Sequence, residues 1–143
     1  MNDSMGALIE TLMAARLWER FDAYPYDLKR VYRRVPIYDH NSTVISDIDI
    51  LLSNSDYAMA VEVKRALNKQ EDVDHHEWRM NRILTYPPDE IKGKRLLGAL
   101  AGGAVDPDTR EYAYRKGFFV LELSGKIVSL LPVPEGFSPA EWV

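Results

Sequence analysis

The apolar positions of the chain repeat with two different periods, which predict an alternation of helices and strands. A helical period covers residues 4–22 and 70–86, and a third helix is predicted after Asp106, with Pro107 at its first position and Gly117 at its C-terminal end. Alternating or continuous apolar runs predict six strands, at residues 30–39, 43–52, 57–65, 94–105, 118–123 and 126–131. The order αβββαβαββ is that of an α/β domain with a mixed sheet between helices.

The strands at residues 43–52 and 57–65 are predicted to form a hairpin, because the Asn-Ser-Asp sequence between them is typical of hairpin turns. Both strands are apolar except for a few charged residues, Asp47, Asp49, Glu62 and Lys64. Burying a charge without a partner is strongly unfavourable. We therefore expect these charges to serve a function.

The spacing of the charges predicts a metal site. Asp49 precedes Glu62 by thirteen residues, so the hairpin brings both carboxylates within reach of one ion, and Lys64 lies on the same face as Glu62. Two carboxylates with water or substrate oxygens suit Mg²⁺, which polarises a phosphoryl oxygen and activates a bound water. A lysine beside them orients that water or neutralises developing charge. Such a set of groups hydrolyses phosphodiesters; the alternative is an internal ion pair between Lys64 and one of the two acids.

Glu10 is a further candidate. It shares a helical stripe with Met13, Leu17 and Phe21, which puts it at the margin of the buried face of the first helix. One alternative is an acid that points toward the site, and the other is an exposed carboxylate on the flank of the helix.

The helix at residues 70–86 contributes two histidines and two arginines of interest. The apolar stripe turns His76 inward, either as a site residue or as a hydrogen-bonded core histidine, and turns His75 outward. Arg79 and Arg82 are predicted to be solvated, with the alternative that either one lines a substrate groove.

The strand at residues 30–39 mixes basic and aromatic side chains. Alternation predicts that four residues share one face, Val31, Arg33, Val35 and Ile37. Arg33 and Arg34, together with Arg65 after the hairpin, are candidates for contacts with phosphates. A solvated strand face is the alternative.

Composition narrows the class of protein. The 143 residues suit one domain, residues 1–143, and no apolar run approaches the ~20 residues that span a bilayer. The chain has no cysteine, which excludes thiolate metal sites, and its start does not resemble a secretory signal, so we expect a cytoplasmic protein. A net charge of −4 disfavours a protein that coats nucleic acid, although it permits a local basic groove. The proline-containing tail is predicted to wrap over the domain and bury Phe137 and Trp142.

The segment SDIDILL followed by AVEVK resembles the core of the PD-(D/E)XK nuclease superfamily, in which an acid in one strand is followed by Glu-x-Lys in the next. Further segments extend the resemblance to a group of uncharacterised bacterial single-domain members, over residues 5–142: VDHHEWRMNRIL, GALAGG, YAYRKGFFVLELSG and FSPAEW.

The resemblance implies a restriction-endonuclease-like three-layer fold and a role for each matching residue. Asp49 and Glu62 match the metal-binding acids, and Lys64 matches the catalytic lysine. Asp47 matches an accessory acid of many members, and Glu10 falls where many carry a helical glutamate that assists the metal site. His76 matches a histidine on the helix after the core.

Three functions follow as alternatives. The first is an endonuclease that hydrolyses DNA with Mg²⁺ or Mn²⁺. The second is a catalytically silent binding module that has kept the fold, and the third is an accessory subunit whose partner recognises the target. We expect a homodimer, because single-domain nucleases often need two copies to cut both strands of a duplex, and we expect no membrane association.

Overall fold

The computed structural model describes Glu10, Thr11, Ala14 and all residues from Leu17 to Val143. Glu10, Thr11 and Ala14 have helical backbone, and a 3₁₀ helix follows at Leu17–Phe21. The rest of the predicted helix at residues 4–22 lies outside the described residues. Within the described part of the chain, no helix combines the length and apolar character needed to cross a membrane.

The remaining elements follow the predicted order. The six strands are β1 (Arg30–Tyr38), β2 (Val44–Ser53), β3 (Tyr57–Lys64), β4 (Arg95–Gly102), β5 (Phe119–Ser124) and β6 (Ile127–Leu130). Beyond the N-terminal segment, the described residues form the helices α1 (Gln70–Thr85) and α2 (Pro107–Arg115). The strands form one sheet in the order β1-β2-β3-β4-β5-β6, in which β3, β4 and β5 are parallel and the other neighbours are antiparallel. The predicted mixed sheet is therefore confirmed.

Two hydrophobic cores cover the two faces of this sheet. On one face, which we call the helix-side core, Val73 and Met80 of α1 and Ala113 of α2 pack against the sheet. On the other face, Leu17 and Phe21 of the N-terminal segment pack against it. Apolar burial on both sides gives the predicted three-layer α/β fold.

The hairpin of β2 and β3 is closed by the side chain of Asn54. Its Oδ1 accepts hydrogen bonds from the backbone amides of Asp56 at 2.8 Å and Tyr57 at 2.7 Å. Such a side-chain turn fixes the register of the hairpin. The register pairs Ile50 with Val61, which places the acidic residues of the two strands side by side just beyond this pair.

The alternation of β1 is interrupted at Arg34, which adopts a left-handed conformation with a φ of 53°. Tyr32 before it and Val35 after it both pack against the helix-side core, although regular alternation puts them on opposite faces. The prediction that Val31 and Arg33 share the buried face of Val35 is wrong, because both side chains are exposed. The reversal of the backbone at Arg34 is the reason.

A matching irregularity lies on β2. Ile48 and Leu51 both pack into the helix-side core although they are three positions apart. The pairs of Arg33 with Ile50 and of Val35 with Ile48 flank Arg34 on β1 and Asp49 on β2. The two strands therefore depart from regular alternation at the same place, which is the place of the predicted site.

The C-terminal tail packs against the end of α2 and the sheet, as predicted. Trp142 stacks on Phe118 with ring centroids 5.5 Å apart, and Phe137 contacts Phe119 at 5.4 Å. Gly117, which ends α2, has a φ of 85°, and a Cβ at this position would lie 2.5 Å from the Cβ of Ala140 in the tail.

We predict that Gly117→Ala destabilises the protein more than Gly136→Ala does. Both glycines have a positive φ, so alanine costs about 1–2 kcal/mol of backbone strain at either site. Only at Gly117 does the new methyl group collide with the tail, which adds roughly 1–3 kcal/mol. Urea unfolding followed by circular dichroism measures both variants. Equal losses of stability would show that the tail does not rest on this glycine.

Candidate active site

The site begins where regular pairing of β2 and β3 stops. The paired ladder ends at Ile50 and Val61, so Asp49 and Glu62 occupy the next position on each strand. There the Oδ2 of Asp49 accepts the hydrogen bond of the Val63 amide at 2.8 Å. A side-chain oxygen thus replaces the backbone carbonyl that a continued ladder would supply, and the carboxylate lies between the two strands.

Asp49 and Glu62 form a buried pair of neighbouring carboxyl groups. They are 8% and 4% exposed. The pKa of Asp49 rises from its usual 3.8 to about 7, first because the group is buried, and then because it hydrogen-bonds to Glu62 and feels its negative charge. The Val63 amide acts in the opposite direction and lowers this pKa. Near neutral pH the pair therefore holds a proton, as two adjacent carboxyl groups do when no cation separates them.

Glu62 is also bound by Arg79 of α1. The Arg79 guanidinium forms an ion pair with Oε2 of Glu62, and its Nε donates to Oγ of Ser46 at 3.2 Å. The prediction that Arg79 is solvated is wrong, since this residue is only 7% exposed. Its position three residues after His76, on the same side of the helix, is the signal that identifies it as an inward residue.

His76 holds Arg79 from the other side. The ring is fully buried, and Nε2 lies 3.1 Å from the carbonyl oxygen of Ala60. Because a carbonyl only accepts, Nε2 carries the hydrogen, and Nδ1 is left to accept from Arg79 at 3.4 Å. Burial, and then the charge of Arg79, lower the pKa of His76 to about 3, so the ring is neutral. The predicted inward direction of His76 and outward direction of His75 are confirmed.

Glu10 reaches the site from the N-terminal segment. Its side chain is buried, so the alternative of an exposed flank position is wrong. Oε2 accepts from Arg34 at 3.1 Å, whereas Oε1 is buried without a hydrogen-bond partner and lies 4.0 Å from Arg33. Burial, followed by the negative charge of Asp49, raises the pKa of Glu10, and the charge of Arg34 lowers it.

Arg34 and Arg33 lie at the edge of this acidic group. Both are exposed residues of β1, and the strained conformation of Arg34 brings its guanidinium to Glu10. A non-glycine residue with positive φ costs of order 1–3 kcal/mol and is common at functional sites.

Three other predicted residues are more exposed than the acidic pair. The Lys64 ammonium lies 3.8 Å from the carboxylate of Asp72 in the first turn of α1, and both side chains are partly exposed. Asp47 is exposed on β2, opposite Pro36. Arg65 is exposed directly after β3.

The donor atoms of the site match a hard divalent cation. Asp49 and Glu62 offer carboxylate oxygens of the kind that Mg²⁺ and Mn²⁺ prefer, and the buried Oε1 of Glu10 accepts no hydrogen bond. Across the described residues, no group of three or more acidic or histidine side chains is arranged around one metal position. A metal ion at this site would be held by the two carboxylates together with water or substrate oxygens.

No protein-family model and no curated protein matches the chain. Among solved structures, the fold is similar to a repair endonuclease from Pyrococcus abyssi, with a TM-score of 0.58 and 18% identity over 87% of this chain and 48% of that one. It is also similar to AF1548, a protein of unknown function, with a TM-score of 0.50 and 12% identity over 90% of this chain and 62% of that one. The chain thus spans about half of the endonuclease. These similarities concern the fold, which is nuclease-like.

We predict that Asp49→Asn stabilises the protein above neutral pH and has little effect at pH ~4. Between its usual pKa of 3.8 and about 7, Asp49 keeps its proton in the folded state and has lost it in the unfolded state, so the stability of the wild type falls as pH rises through this window. Asparagine mimics the protonated acid and still accepts from the Val63 amide. Thermal unfolding at pH ~8 should show a melting temperature raised by roughly 5 °C.

Asp47→Asn, on the same strand but exposed, is the matched control. If the difference in melting temperature between Asp49→Asn and the wild type does not grow with pH, the two carboxyl groups do not share a proton.

Proposed function

We propose that this protein is a metal-dependent nuclease of the PD-(D/E)XK superfamily that hydrolyses phosphodiester bonds of DNA. The observation that carries the proposal is the pair of buried carboxyl groups, Asp49 and Glu62, at the end of the β2–β3 ladder in a nuclease-like sheet. Buried acids are retained at a cost, and a divalent cation offsets that cost by replacing the shared proton.

In this proposal Asp49 and Glu62 are the ligands of Mg²⁺ or Mn²⁺. The bound ion supplies a Lewis acid for the phosphoryl group and lowers the pKa of a bound water. The protein holds both ligands rigidly, since Asp49 is fixed by the Val63 amide and Glu62 by Arg79. Glu10 assists from the N-terminal segment, where its unpartnered Oε1 is available to a water molecule or to the ion.

Lys64 positions the attacking water after its ammonium leaves Asp72. This step is inexpensive, because a partly exposed pair at 3.8 Å contributes at most about 1 kcal/mol. The side chain shares the face of β3 on which Glu62 lies, two residues away. A rotation about the bonds of its flexible stem is enough to bring the ammonium toward Glu62.

Arg33, Arg34 and Arg65 are the proposed contacts to the substrate. Their exposed guanidinium groups offer the paired donors that phosphate oxygens accept, and a local basic edge compensates for the net charge of −4. One site cuts one strand at a time, so we also propose that two copies act together on a duplex.

A catalytically silent module is the second candidate. It is favoured by one observation: both Glu62 and Lys64 already have partners within the protein, in Arg79 and Asp72. A silent module would keep these ion pairs and bind nucleic acid or a partner protein without turnover.

We predict that the wild type cleaves plasmid or single-stranded DNA in the presence of Mg²⁺ or Mn²⁺, and that Asp49→Asn and Lys64→Ala each lower the rate by ~100-fold or more. The measurement is gel electrophoresis of plasmid, single-stranded DNA and RNA after incubation with each metal. Asp89→Asn and Lys92→Ala, which alter an exposed ion pair elsewhere, are the matched controls and should retain activity.

Cleavage that survives both site substitutions would place the chemistry elsewhere. No cleavage of any substrate by the wild type, with metal present, would favour the silent module.

A further inference from the structure

Arg79 is a buried cation with a fixed position. Its guanidinium contacts Glu62 on β3, Ser46 on β2 and His76 on its own helix. His76 is itself anchored to the carbonyl of Ala60, so each neighbour of the guanidinium is held by the sheet or by α1. The guanidinium therefore places a positive charge at a fixed position in this site.

The three acids of the site, Asp49, Glu62 and Glu10, differ in their ion-pair partners. Among the described residues, Glu62 is paired with Arg79, and Glu10 with Arg34 and Arg33. The hydrogen bond to Oδ2 of Asp49 comes instead from a neutral group, the Val63 amide. Oε2 of Glu62, which could otherwise serve as a ligand of a second metal ion, is already bound by the Arg79 guanidinium.

From this distribution, and on the basis of the proposed function, we infer that Arg79 takes the place of a second metal ion and limits the site to one divalent cation, bound between Asp49 and Glu62. A second ion at Oε2 of Glu62 would lie within ion-pair distance of the guanidinium, where the repulsion between the two cations in a buried setting is strong. Arg79 is accordingly a positioning residue, which fixes Glu62 and sets the number of metal ions.

The test is the stoichiometry of Mn²⁺ binding, measured by isothermal titration calorimetry on the full chain. We expect one ion per chain for the wild type and two for Arg79→Met, since the methionine fills similar volume without the charge. Arg79→Lys, which keeps a positive charge at Glu62, should bind one ion. Arg82→Met, whose arginine rests over the Trp78 ring one turn away, is the matched control and should also bind one.

Thermal unfolding is the second measurement, because Arg79→Met could also lose stability. Removing one partner of a buried ion pair leaves the other charge uncompensated. Without metal, we expect Arg79→Met to have a lower melting temperature than the wild type. Adding Mn²⁺ should raise the melting temperature of Arg79→Met by more than it raises that of the wild type. An arginine with a purely structural role would give a loss that Mn²⁺ does not reverse.

Two ions on the wild type, or one ion on Arg79→Met with the affinity of the wild type, would overturn the inference while leaving the proposed metal site intact. If Mn²⁺ binds neither the wild type nor Arg79→Met, the proposed metal-dependent function fails as well.

Discussion

Two carboxyl groups held side by side, away from water, are the constraint around which the domain is arranged. Asp49 and Glu62 repel each other when both are ionised, and burial strengthens that repulsion. The Val63 amide from the sheet and Arg79 from α1 offset this repulsion. Glu10 of the N-terminal segment adds a third acid, whose charge is balanced by Arg34 of the edge strand. The three-layer fold is what allows helix, sheet and N-terminal segment to converge on one point.

The sheet is irregular where the acids lie, and the rest of the sheet keeps that irregularity stable. β1 has a left-handed backbone at Arg34, and β2 departs from regular alternation between Ile48 and Leu51. The pairing of β2 with β3 ends in the same stretch of β2. A polar side chain is thereby placed between strands rather than on a face. Two hydrophobic cores and the parallel pairing of β3, β4 and β5 stabilise the fold, and they offset the free-energy cost of this local strain.

Much of the fold, and the acidic pair, could be predicted from the sequence, because both depend on short-range patterns. Turn chemistry at Asn54 sets the register of the hairpin, and that register suffices to place Asp49 beside Glu62. The pairing of Arg79 with Glu62 could not be predicted in this way, because it joins a helix to a strand and periodicity reports only which residues turn inward. The reversal at Arg34 leaves no trace in the hydrophobic pattern either, since left-handed backbone at a non-glycine residue is decided by tertiary contacts.

The hydrogen bond from the Val63 amide to the Asp49 carboxylate has a practical consequence. It links a backbone proton in the centre of the sheet directly to the group whose charge changes with pH. The chemical shift of that single amide is therefore a spectroscopic reporter of the electrostatic state of the site. It can be followed by nuclear magnetic resonance in the unmodified protein, with no substrate and no turnover.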